Sequence, residues 1–106
     1  MANPARGEVA FRVADEDYVL KFTTNAICKV EKELEEGLNS ILQNMQRVTT
    51  VRALFWAGLH FYRPNLTVPQ TGDLIDRVGM GPATEAIGKA LTAAFSPATE
   101  GDAPNA

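Results

Sequence analysis

Few residues in this chain could carry out a reaction, and their spacing decides what each is able to do. The sequence holds one histidine, His60, and one cysteine, Cys28. A zinc centre takes three or four nitrogen, sulfur or oxygen ligands, and this pair is widely separated, so neither metal nor cofactor is expected. Glu31, Glu33, Glu35 and Glu36 could be read as paired acid and base. On a helix they spread around the wet side beside Lys29 and Lys32, whereas a catalytic pair needs two carboxylates whose environments separate their pKa values. Asp15, Glu16 and Asp17 lack the twelve-residue spacing and late glutamate of a calcium loop, and read as a turn. Gly79-Met80-Gly81 stands before a helix, but without a preceding strand, a third glycine or a lysine it is not a phosphate cradle. No enzyme is expected, and the catalytic set is empty.

The elements that would position any site follow from periodicity. Residues 8–22 alternate with period two: Val9, Phe11 and Val13 share a face, as do Tyr18, Leu20 and Phe22, across the acidic loop Ala14-Asp15-Glu16-Asp17. This pattern predicts a β-hairpin with one buried face. Thr23-Thr24-Asn25 offers N-caps for a helix over about 25–36, lined inside by Ile27, Val30 and Leu34, with Gly37 in the left-handed position after it. A short helix over 39–46 turns Leu38, Ile41, Leu42 and Met45 inward. Thr49 or Thr50 caps a third helix over 51–62, where Val51, Leu54, Phe55, Gly58, Leu59, Phe61 and Tyr62 form the apolar arc. The opposite arc, Arg52, Ala53, Trp56, Ala57 and His60, is barely polar, which predicts a central helix touched on both faces. Gly58, unfavourable in a helix by about 1 kcal/mol against alanine, predicts a close approach there.

Arg63-Pro64-Asn65 breaks the third helix. Thr67 and Gln70 match a capping box, with Pro69 tolerated in the first turn, opening a helix over 68–78. After Gly79 a last helix over 82–95 carries Ala83, Ala86, Ile87, Ala90, Leu91, Ala94 and Phe95 on one face. The whole is an α+β domain over residues 1–95, a two-stranded antiparallel hairpin packed on about five short helices. The acidic, small-residue tail 96–106 is expected to be disordered.

Composition narrows the partners. A net charge of −3 and a pI near 5.0 disfavour nucleic acid, whose binding rests on clustered lysine and arginine. A single cysteine makes no internal disulfide, and the start MANPARG has no apolar signal region, so a cytoplasmic protein is expected. The apolar run Ala53–Leu59 is far short of the ~20 residues a membrane span requires. What remains is apolar surface. Ile87, Leu91 and Phe95 on the last helix are the first candidate for partner contact, which would let Leu91→Asp weaken binding and spare the fold. Trp56 and His60, beside Ala53, are the second. The open hairpin edge leaves room for self-association.

Three segments carry a family likeness: FTTNAICKVEKEL (Phe22–Leu34), VRALFWAGL (Val51–Leu59) and RPNLTVPQTGDLID (Arg63–Asp76). With these the chain resembles the tail assembly chaperone family of gene transfer agents and related long-tailed phages. It departs from the family pattern at Val68-Pro69-Gln70-Thr71, where acidic residues are more usual. The resemblance implies a non-enzymatic protein of the bacterial host cytoplasm that binds the tape measure protein, assists polymerisation of the tail tube protein, and is absent from the finished particle. Two other readings compete with it: a permanent tail component, such as a tube or terminator subunit, and a small DNA-binding regulatory module.

Overall fold

The computed structural model describes residues 7–95. Strands β1 (Glu8–Val13) and β2 (Glu16–Lys21) pair antiparallel, with Val9 opposite Leu20, Phe11 opposite Tyr18 and Val13 opposite Glu16. The turn is therefore Ala14-Asp15 alone, not the four-residue loop that the acidic run predicts. Asp17 is drawn into the ladder because its carboxylate takes hydrogen bonds from Arg12, its cross-strand partner, at 2.8 and 3.4 Å. Ala14 adopts φ 54°, the positive value a tight two-residue hairpin turn demands.

Helix α1 (Thr24–Leu34) starts where Thr23 Oγ1 accepts from the Ala26 amide at 3.1 Å. It stops two residues earlier than predicted because Glu35, not Gly37, turns left-handed (φ 55°), and the Glu36 amide closes back on the Glu31 carbonyl. Gly37 instead precedes α2 (Leu38–Gln43) in extended conformation. That single short turn of helix buries Ile41 and leaves Leu42 41% exposed, contrary to its expected inward place.

Helix α3 (Val48–Leu59) begins at Arg47 without a side-chain cap, and the predicted cap Thr50 is buried inside the helix. The shift of register at both ends has one consequence for the aromatic residues. The helix is over by Leu59, so Phe61 and Tyr62 leave the predicted inner arc and stand 53% and 49% exposed. Its central position is as expected: α3 packs on α1, α4, α5 and β2, and Ala53, Leu54, Phe55, Ala57 and Leu59 are all buried. A Cβ at Gly58 would lie 2.7 Å from Leu20 Cδ2 and 2.9 Å from Phe22 Cζ, so hairpin side chains make the close approach that this glycine announces.

The capping box of α4 (Val68–Val78) is complete: Gln70 N donates to Thr67 Oγ1, and Thr67 N donates to Gln70 Oε1. Gly79, at φ 99°, alone separates α4 from α5 (Met80–Phe95), which starts two residues sooner than predicted. The resulting α+β domain centres on Phe55, Leu20, Leu54, Leu59, Ile41 and Ile87, each fully enclosed. Burial of such side chains contributes about 1.5–3 kcal/mol apiece. No helix among the described residues is long and apolar enough to cross a membrane. The expectation for residues 96–106 lies outside the described residues.

Candidate partner-binding surfaces

Helix α5 does not offer the predicted face to a partner. Ile87 is 0% and Leu91 7% exposed, because the alanine-rich side that carries them closes against β1, β2, α3 and α4. A two-stranded hairpin covers little area, so the core recruits that face of α5 for itself. Phe95, at the last position of the helix, alone of the three keeps its ring accessible at 54%.

Trp56 and His60 share one side of α3, as their spacing requires, with rings in edge contact at 6.1 Å. Trp56 is pinned: its indole N–H donates to the Leu66 carbonyl at 2.9 Å, and Lys29 Nζ lies 5.4 Å from the ring. It therefore anchors the Arg63–Leu66 loop against α3. His60 Nδ1 is buried without a hydrogen-bond partner. Burial, and secondarily the charge of Lys29, hold the imidazole below its ordinary pKa, so the ring is neutral at neutral pH. With Phe61, Pro64, Thr23, Asn25, Ala26 and Lys29 it lines an open hollow of about 320 Å³.

Of the four glutamates on and after α1, Glu33 and Glu35 are exposed, whereas Glu31 and Glu36 bond to the segments that follow. Glu31 accepts from the Leu38 amide at 2.9 Å and so caps α2 from a distance. Glu36 accepts from Ser40 Oγ at 2.9 Å and Asn44 Nδ2 at 3.3 Å, with Arg47 at 3.9 Å. These carboxylates join α1 to the turns that follow it. Cys28 is exposed on α1, and among the described residues no three of His, Cys, Asp and Glu lie close enough to hold a metal ion.

Two surfaces were not legible as surfaces in the sequence. One is the aromatic pair Phe61 and Tyr62, in edge contact at 4.9 Å. They lie over the outward face of the hairpin, where Lys21 Nζ sits 4.3 Å from the Phe61 ring and the Tyr62 hydroxyl donates to Glu8. The other is a groove of about 540 Å³ between the start of α3 and the start of α5, lined by apolar Met45, Val48, Val51 and Met80, with Gln46, Thr84 and Glu85 also lining it. Val48 is 62% and Met80 38% exposed there. Reading Thr49 or Thr50 as a cap hid it, because that left Val48 in a loop. The signal available was the placement of both internal methionines beside helix starts. Comparison of the chain with family models, with curated proteins and with solved structures finds no match.

Proposed function

We propose that this protein is a tail assembly chaperone that binds the tape measure protein and assists polymerisation of the tail tube around it. The observation that carries the reading on the structural side is the methionine-lined groove. Methionine is unbranched and polarisable, so a groove built from Met45 and Met80 accepts apolar side chains of differing shape. A chaperone for a long helical chain needs that tolerance, since successive turns of its client present different residues. Modest affinity at each groove suffices when many copies bind one chain, and it permits release as the tube forms. On the sequence side the reading is supported by the segments Phe22–Leu34, Val51–Leu59 and Arg63–Asp76, whose resemblance to the family runs through the hairpin exit, the central helix and the capped fourth helix.

Co-expression with the tape measure protein of the same gene cluster tests it. The tape measure is expected to be soluble with this protein and insoluble without it. Val48→Asp combined with Met80→Asp, both at exposed positions, is expected to weaken the complex at least about tenfold, or about 1.4 kcal/mol, while thermal melting of the chaperone stays unchanged. A tape measure equally insoluble in both cases contradicts the role. Many copies of this chain in finished particles, counted by mass spectrometry, would identify a tube or terminator subunit instead.

A further inference from the structure

The hairpin's two strands are unequally covered. On the inner face Tyr18, Leu20 and Phe22, on or following β2, are buried, whereas Val9, Phe11 and Val13 of β1 are only half-buried. Both α3 and α5 pack beneath β2, while β1 is backed chiefly by α5.

The edges differ as well. In a two-residue hairpin the residues flanking the turn exchange hydrogen bonds, so Val13, Phe11 and Val9 bond across to β2. Ala10 and Arg12 then turn their N–H and C=O groups outward, as do Asp17 and Val19 on the opposite edge. That opposite edge is partly occupied: Arg63 reaches round it, donating from Nη2 to the Asp17 carbonyl at 3.0 Å, with its guanidinium 4.2 Å from the Tyr18 ring, and Tyr62 and Arg63 stand beside Val19. At the centre of β1 the outward side chains are Ala10, the smallest on that face, and Arg12, both exposed.

We propose that β1 pairs with β1 of a second copy of this chain, antiparallel and centred on Phe11, joining the two hairpins into one continuous sheet. The occupant is singled out by the strand's own sequence. Val9-Ala10-Phe11-Arg12-Val13 is symmetric about Phe11 in its inward residues, so a two-fold copy sets Val9 against Val13 and Phe11 against Phe11. Those are the side chains left half-covered, and they meet in the closer, non-hydrogen-bonded pairs of the ladder. Ala10 and Arg12 of the second copy exchange the hydrogen bonds, with no like charges opposed. Because Arg63 takes the Asp17 carbonyl, and it and Tyr62 stand beside Val19, the β2 edge is obstructed, and pairing stops at two copies without propagating into a fibre. Dimerisation through this edge is independent of the tail-assembly role.

Sedimentation of the full chain over a wide concentration series tests the proposal. The expected mass rises from 11.5 kDa to twice that value. Ala10→Pro removes an outward N–H and leaves the β1–β2 ladder intact, a placement proline tolerates on edge strands. It is expected to stay monomeric with an unchanged circular dichroism spectrum, while Val19→Pro, on the other edge, still dimerises. A wild-type chain that is monomeric throughout, or an Ala10→Pro dimer, overturns the proposal. Should Ala10→Pro fail to fold, hydrogen exchange of the wild type decides the matter. Protection of the Ala10 and Arg12 amides that grows with concentration, against a constant Val19, supports the pairing; concentration-independent exchange at all three overturns it.

Discussion

At Gly58 two physical effects oppose each other, and their magnitudes decide the outcome. Alanine would gain about 1 kcal/mol in helix propensity. Its methyl, however, would press within 3 Å of Leu20 and Phe22, two buried side chains with little room to retreat, and overpacking of that kind costs about 1–3 kcal/mol. Gly58→Ala is therefore expected to destabilise the fold by about 1 kcal/mol, readable as a lower urea midpoint; a raised midpoint would show that the hairpin yields easily. His60 poses the complementary question of charge. Its folded pKa lies below the ordinary 6.5 because burial and Lys29 disfavour the proton. The unfolded chain consequently binds more protons as pH falls through 6.5, and stability declines there until the folded ring itself titrates. His60→Gln should flatten that part of the stability profile, measured by chemical denaturation across the interval. Asp17 does not confuse the measurement. Its carboxyl is held below the usual value by the Arg12 hydrogen bond and charge, so its influence begins only in stronger acid.

At the scale of the element, helix ends matter more than helix interiors. Glu35 ends α1 in a left-handed conformation in which its Cβ is crowded, and glycine takes that conformation freely. Glu35→Gly is expected to stabilise the domain by about 0.5–1 kcal/mol, seen as a higher melting temperature. An unchanged or lower value would mean that the glutamate side chain contributes something its exposed position does not suggest. Interiors, by contrast, were readable from periodicity: the alternation of residues 8–22 and the inner stripe of α1 around Val30 correspond to the structure, and among the ends the capping box of α4 does too. The end of α1 and the termini of α2, α3 and α5 did not. Threonines at 49 and 50 look like caps in isolation, yet Thr50 is buried by packing, and the helix opens at Arg47 with no side-chain cap.

At the scale of the whole molecule, the surface is what the core leaves over. Leu91 is inside, so Leu91→Asp would bury a charge with no partner and is expected to cost about 4 kcal/mol or more, unfolding much of the protein. Far-ultraviolet circular dichroism of the variant checks this; a native spectrum with lost partner binding would restore Leu91 to the surface. Besides Leu42 and Phe95, the exposed large apolar side chains are Val48 and Met80, in the groove with half-buried Met45, and the Phe61–Tyr62 pair. Both arise from where α3 begins and ends.

Local pattern alone determined that there is a hairpin, that helices follow it, that α3 is central, and that Gly58 meets a neighbour, because each leaves its mark within a few residues of sequence; which neighbours Gly58 meets, Leu20 and Phe22, only the fold decided. Tertiary packing decided which apolar faces stay open. The helix spacing of Ile87 and Leu91 is the same whether their face meets solvent or core, and only the small area of a two-stranded sheet determines that it meets core. The burial difference between β1 and β2 has the same origin. Both strands alternate alike, but α3 and α5 together lie under one, and the other is left with half-covered side chains at an open edge.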